Sequence, residues 1–107
     1  MQIVTAAGEL FNHVDSNGPM WVGDGDREVR LRVSFTANFQ RPPHITLGIS
    51  GMDSSSAQNL RFSLVSEAVT SEGFEIVLKT WSDTKIARAS VNWSAIGQAV
   101  PSSAIRR

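Results

Sequence analysis

The sequence has no cysteine, no net charge and no long apolar run, and each absence excludes a class of protein. Without cysteine, the 107-residue chain has no disulfide framework, no thiolate nucleophile and no cysteine-ligated zinc site. Ten Lys and Arg balance ten Asp and Glu, so the chain lacks the excess positive charge that phosphate binding needs. We therefore do not expect nucleic acid as its main partner. The apolar runs are too short to span a bilayer, and no membrane insertion is expected.

The amino terminus shows no targeting pattern. Residues 1–5 contain no basic region followed by an apolar stretch, so we expect no signal peptide. A cytoplasmic, released or particle-associated protein agrees equally with this, and the compartment stays unknown. Hydrophobic residues make up 41% and charged residues 19%, which is typical of a globular chain, and residues 1–107 fit one domain.

Alternation of apolar and polar residues predicts several β-strands. The clearest segment follows Arg27, where Val29, Leu31, Val33 and Phe35 alternate with polar residues. Predicted strands cover residues 2–6, 29–35, 45–49, 60–64, 74–78 and 89–93. Helical spacing competes with alternation in the 60–64 segment. Short strands without a long helix between them predict an antiparallel β-sandwich.

Between and after these strands the sequence predicts loops with a few buried anchors. Trp21 and Val22 are expected to form a short buried anchor beneath a Gly-rich loop. Trp93 shares parity with apolar strand residues, and we expect it in the core. The tail, residues 97–107, is expected to be loosely held.

No pattern in the sequence indicates catalysis or metal binding. The two histidines, His13 and His44, belong to no Gly-x-Ser-x-Gly or His-Glu-x-x-His motif, so the chain is not expected to be an enzyme. Asp24-Gly25-Asp26 begins like a calcium loop, but the ligands and glycine that should follow are missing. We interpret it as a turn and expect no metal and no cofactor.

Trp81 and Arg61 are the residues that most clearly favour ligand binding. Trp81 follows a predicted strand on the parity opposite to Phe74 and Ile76, so its indole should point outward. An exposed ring can pack on the apolar C–H face of a sugar, while charged groups bond the sugar hydroxyls. Arg61 projects opposite Leu60, and packing of Trp81 on a neighbouring subunit remains an equally open interpretation.

The order of several short strings resembles the H-type lectin family, which includes snail agglutinins and the carboxy-terminal domain of discoidins. The strings lie within residues 20–96, and they are specific mainly through their order. They are Arg27-Glu28-Val29, Val33-Ser34-Phe35, Phe39-Gln40-Arg41-Pro42-Pro43, Gln58-Asn59-Leu60-Arg61, Gly73-Phe74, Thr80-Trp81-Ser82-Asp83-Thr84-Lys85 and Val91-Asn92-Trp93.

This resemblance implies a six-stranded antiparallel β-sandwich that forms a trimer or a dimer of trimers. It also implies glycans as partners: galactose or N-acetylgalactosamine bound between subunits without a metal, for adhesion or recognition. One subunit would supply Arg61 and an acid, matching Asp24 or, because the loop alignment is loose, Asp26. The neighbouring subunit would supply Trp81 and Ser82.

The chain departs from the family at two positions of the implied site. Ser82 stands where some members carry a histidine, and Ala87 stands where some carry a tyrosine. An alternative interpretation is therefore a trimeric structural or assembly module, such as a virion or phage-like particle component, that has lost sugar binding.

Overall fold

The computed structural model of the chain describes residues 1–101, and residues 102–107 of the predicted tail lie outside the described part. Six strands and two one-turn helices make up the fold of this part. The strands are β1 (Gln2–Asn12), β2 (Arg27–Ser34), β3 (His44–Ser54), β4 (Ser63–Glu67), β5 (Gly73–Thr80) and β6 (Ile86–Gly97). The helices are α1 (His13–Ser16) and α2 (Pro19–Val22).

The strands form two three-stranded antiparallel sheets. One has the order β1-β6-β3 and the other the order β2-β5-β4, so the last two strands occupy the centres. This arrangement confirms the predicted six-stranded antiparallel sandwich. The chain is elongated, with extents of 57 × 20 × 18 Å.

The core lies where the inner faces of β5 and β6 meet. Phe74, Ile76 and Leu78 of β5 are fully buried, as their alternation requires, and Trp93 of β6 is 8% exposed. The ring centroids of Phe74 and Trp93 lie 5.2 Å apart in an edge-to-face arrangement, which aromatic pairs favour. The core position predicted for Trp93 is confirmed.

Several details of the predicted fold are wrong. The first strand extends to Asn12 because its backbone pairs with β6 from Gln2 to Asn12, with one register shift at Leu10, although Ala7 and Gly8 show no alternation. The buried anchor after it is Met20, whereas Val22 is exposed. The start of the predicted tail is not loose: Gly97 ends β6, and Ala99 bridges Phe39.

The fourth strand begins later than the alternation predicts. Leu60 and Phe62 are exposed and precede β4, so they do not form the apolar face that residues 60–64 indicated. Side chains hold this segment in place of a strand ladder. The hydroxyl of Thr84 donates to the carbonyl of Asn59 at 2.6 Å, and the hydroxyl of Thr80 donates to the carbonyl of Arg61.

Candidate functional site

All five residues predicted for the site gather at one end of the β2-β5-β4 sheet. The antiparallel register pairs Arg27 with Thr80 and Ser63 with Lys79. The loop before β2, the turn after β5 and the segment before β4 therefore lie side by side, with the β5 turn in the middle. These pieces of backbone carry, respectively, Asp24 and Asp26, Trp81 and Ser82, and Arg61.

Trp81 stands on the outer side of this end. Its side chain follows the outward parity of Lys79 in β5 and is 42% exposed, so the predicted outward orientation is confirmed. Beside the indole lies a surface cavity of about 430 Å³. The cavity is lined by Asp26, Arg27, Glu28, Ser63, Lys79, Thr80 and Trp81. An aromatic wall with polar groups around it is an arrangement that suits a ligand with both apolar and hydroxyl surfaces.

Arg61 lies on the other side of the Trp81 turn and is held by that turn. Its Nη1 donates to the carboxylate of Asp83 at 2.8 Å and to the hydroxyl of Thr84 at 3.2 Å. The side chain is 29% exposed. Arg61 therefore precedes β4 and does not project from a strand, which corrects the predicted geometry. The carboxylate of Asp83 partly neutralises its charge.

The acidic loop before β2 is open to solvent. The side chain of Asp24 is 75% exposed, and its Oδ1 lies 3.9 Å from the Nζ of Lys85. The same ammonium group donates to the carbonyl of Gly23. Asp26 faces the cavity beside Trp81, whereas Asp24, Arg61 and Ser82 do not line it. Within one chain the five predicted residues thus share one end of the sheet but not one pocket.

Ser82 adopts a left-handed backbone conformation, with φ of 61°. Non-glycine residues adopt this conformation at a cost, so the surroundings must hold it. The carbonyl of Ser82 accepts a hydrogen bond from the amide of Gly25 at 2.8 Å. It also accepts one from Arg27 at 3.2 Å. The turn that carries Trp81 is therefore fixed by two hydrogen bonds, one from Gly25 in the acidic loop and one from Arg27 directly after that loop.

The sequence reasoning missed Arg27, which begins β2 and makes the largest set of bonds at this end. Its guanidinium donates to Gly25 at 2.8 Å, to Gly23 at 3.0 Å and to Ser82 at 3.2 Å, in each case to the carbonyl oxygen. Bonds of 3.2 and 3.4 Å reach the carbonyls of Pro19 and Met20 in α2. A charged residue at the first position of a strand is common, so the sequence gives no signal that Arg27 binds several backbone carbonyls.

A charge cluster occupies the outer face of the same sheet, and one of its members, Glu28, also lines the cavity beside Trp81. Arg30 pairs with Glu28 and lies 2.9 Å from Glu67 and 3.3 Å from Glu75. The hydrogen bonds that Arg30 donates to the carboxylates of Glu28 and Glu67 raise the pKa of Arg30. Such exposed pairs contribute little to stability one by one.

Beneath the acidic loop, the amide of Met20 donates to the Nδ1 of His13 at 3.1 Å. Burial lowers the pKa of His13, and the neutral ring suits its acceptor role.

In residues 1–101, no group of three or more acidic, histidine or cysteine side chains is placed to hold a metal ion. None of the described helices is long and apolar enough to cross a membrane.

Comparison with known proteins gives a family match and two curated relatives. The family described as the H-type lectin domain matches residues 30–96. The ATP synthase subunits region ORF 7 of Fuscovulum blasticum is 46% identical over 88 residues, covering 82% of this chain and 76% of that protein. A discoidin-1 chain of Dictyostelium discoideum is 29% identical over 75 residues, covering 69% of this chain and 30% of that protein.

Two solved structures share the fold. Recombinant discoidin II of Dictyostelium discoideum superposes with a TM-score of 0.78 at 18% identity, covering 90% of this chain and 36% of that chain. The tailspike protein gp49 of Pseudomonas phage LKA1 superposes with a TM-score of 0.66 at 16% identity. That match covers 94% of this chain and 15% of the tailspike. The chain therefore spans about a third of the discoidins and a small part of the tailspike.

Proposed function

The chain belongs to the H-type lectin family, and from this we propose that it is a non-enzymatic carbohydrate-binding module. Its ligand would be galactose or N-acetylgalactosamine at the end of a glycan, bound without a metal or other cofactor. One observation carries the proposal: in a lectin-family chain, an acidic loop, an arginine and an exposed tryptophan gather at one end of a sheet.

Each proposed residue has a role that its chemistry allows. Trp81 packs on the apolar patch that an axial hydroxyl leaves on one face of the sugar. Asp24, or Asp26 in its place, accepts hydrogen bonds from two hydroxyls, since an ionised carboxylate has only acceptors. Arg61 donates to the sugar through the nitrogens that Asp83 leaves free, and Ser82 adds a hydroxyl contact.

On this proposal, two copies complete the site. The cavity beside Trp81 is lined by Asp26 but not by Asp24 or Arg61, so this cavity of one chain does not bring Asp24, Arg61 and Trp81 together. In a trimer, Asp24 and Arg61 of one protomer would meet Trp81 and Ser82 of the next. Closed symmetry repeats that contact at every interface and gives equivalent sites.

Weak single sites acting together would give the protein its use in adhesion or recognition. A shallow site with one stacking ring and a few hydrogen bonds is expected to bind in about the millimolar to micromolar range. Several sites on one oligomer can raise apparent affinity by about 10²–10⁴ when a surface carries many copies of the sugar.

The second candidate is a trimeric assembly module of a virion or phage-like particle. The fold it shares with the gp49 tailspike favours this candidate. In that case Trp81 and Arg61 pack at the interface between protomers. Loss of the bulkier residues that some family members carry at the positions of Ser82 and Ala87 would then have no consequence.

Titration of the purified chain with monomeric N-acetylgalactosamine, galactose and glucose, together with light scattering, separates these candidates. The lectin proposal expects heat of binding for the first two sugars and none for glucose, in an oligomer. Asp24→Asn should weaken that binding, and Glu72→Gln is the matched control because Glu72 lies at the opposite end of β5. An oligomer that binds no galactoside would favour the assembly module.

A further inference from the structure

The guanidinium of Arg27 joins three separate pieces of backbone at the proposed sugar site. Its Nε donates to Gly25 in the acidic loop and its Nη1 donates to Gly23 in the same loop. Nη1 also approaches the carbonyls of Pro19 and Met20 in α2, at 3.2 and 3.4 Å. Its Nη2 reaches across to Ser82 in the β5 turn. All five acceptors are carbonyl oxygens.

Only an arginine can make this set of bonds. Its guanidinium carries five N–H donors in a fixed planar fork, whereas a lysine ammonium carries three donors on a flexible stem. Among the described residues no carboxylate pairs with Arg27, so its donors are directed to the backbone. The side chain therefore sets the distance between the backbone segments it joins.

Two of the joined segments carry different halves of the site. The loop of residues 23–26 carries Asp24 and Asp26, and the turn after β5 carries Trp81 and Ser82. The amide of Gly25, which bonds Ser82, and the ammonium of Lys85 are the other ties between them. Gly25 has φ of +74°, so the loop takes its path from a residue with little conformational preference of its own.

We propose that Arg27 is a positioning residue of the sugar site, which fixes the turn carrying Trp81 against the loop carrying Asp24. The expected effect of Arg27 on sugar binding rests on the proposed function, whereas its expected effect on the backbone does not. In a trimer the two halves serve neighbouring sites, so Arg27 would orient one group in each of two sites.

The experiment compares Arg27→Gln and Arg27→Lys with Arg32→Gln. Arg32 is an exposed residue of the same strand, in register with Glu75, and neither of these residues lines the cavity beside Trp81. Two quantities are measured for each variant: the hydrogen exchange rate of the Gly25 amide by NMR, and the dissociation constant for monomeric N-acetylgalactosamine by calorimetry.

In Arg27→Gln we expect the Gly25 amide to exchange at least about tenfold faster. The reason is that its acceptor, the carbonyl of Ser82, loses the hydrogen bond that it also accepts from Arg27. The sugar should bind at least about tenfold more weakly. Arg27→Lys should fall between wild type and Arg27→Gln. Arg32→Gln should leave both quantities within about twofold of wild type even if it lowers the melting temperature, because general destabilisation does not single out this loop.

An unchanged exchange rate at Gly25 in Arg27→Gln would overturn the proposal, whether or not any sugar binds. Unchanged sugar affinity in a folded Arg27→Gln oligomer would also overturn it. If the wild-type protein binds no galactoside, the proposed function fails, and the exchange comparison still decides the role of Arg27. Should Arg27→Gln not fold, Arg27→Lys decides the proposal, because lysine keeps the positive charge but has only three donors; an unchanged Gly25 exchange rate in that variant would overturn the proposal.

Discussion

Replacing Trp81 by alanine tests the proposed sugar contact quantitatively. The residue is 42% exposed, and tryptophan presents roughly 250 Å², so at most about 105 Å² of its surface is free for a ligand. At about 25 cal/mol per Å², covering all of it would contribute about 2.6 kcal/mol, or about 80-fold in affinity. A single pyranose face covers only part of the ring, and half coverage corresponds to about tenfold. Trp81→Ala is therefore expected to weaken N-acetylgalactosamine binding by about 10- to 80-fold.

The assay is calorimetric titration with the monomeric sugar, because a multivalent glycan would mix affinity with avidity. Trp81→Phe is the matched variant, since it keeps a smaller aromatic face and should lose less affinity. Trp93→Ala gives the contrast: Trp93 packs on Phe74 in the core, so its loss should cost about 3–5 kcal/mol of unfolding free energy.

Two results would contradict this reasoning in different ways. If Trp81→Ala stays folded and oligomeric and binds within about twofold of wild type, the indole does not contact the sugar. If instead the variant dissociates in light scattering, the exposed ring packs between protomers, as the alternative interpretation of Trp81 holds.

Three further predictions concern the fold. Gly73→Ala places a Cβ 2.1 Å from a carbonyl oxygen of β2, so it should lower the free energy of unfolding by about 3 kcal/mol in a denaturant titration. Gly8→Ala is the control: a Cβ there meets open space, so the free energy of unfolding should change little. Burial lowers the pKa of His13 below its ordinary value of about 6.5, so stability should be complete above that pH and fall as the pH drops through the lower folded-state pKa. His13→Gln should flatten this dependence in melts between about pH 7 and 4, and an equally steep fall in the variant would assign it to other groups. Ala68 has φ of 52°, so Ala68→Gly should relieve strain and stabilise by up to about 1 kcal/mol, and a lower melting temperature would contradict this.

Alternation of apolar and polar residues was sufficient to predict the inner face of β5, where Phe74 and Ile76 are buried. The opposite parity leads past Lys79 to the exposed Trp81, as predicted, but Val77 on that parity is also buried, which the alternation does not indicate. The full extent of β1 could not be delimited, because Ala7 and Gly8 pair through the backbone whatever their side chains.

The details of the site depended on contacts that no local pattern encodes. Leu60 and Phe62 alternate like strand residues, but the hydroxyls of Thr80, which ends β5, and of Thr84, in the turn that follows, hold the backbone of their segment outside the ladder. The pairing of Arg61 with Asp83 joins residues 22 positions apart. The five carbonyls around Arg27 come from three segments, and their convergence exists only in the folded chain.

The placement of the two lysines has a practical consequence. Lys79 lines the cavity beside Trp81 and Lys85 holds the loop of Asp24, so both lysines of the sequence lie at the proposed glycan-facing end. Gln2 and Gly97 pair at the opposite end of the long axis. Dyes or sensor chips coupled through lysine would therefore attach at the very surface they are meant to probe, whereas a tag joined at the amino terminus would leave that surface facing the sample.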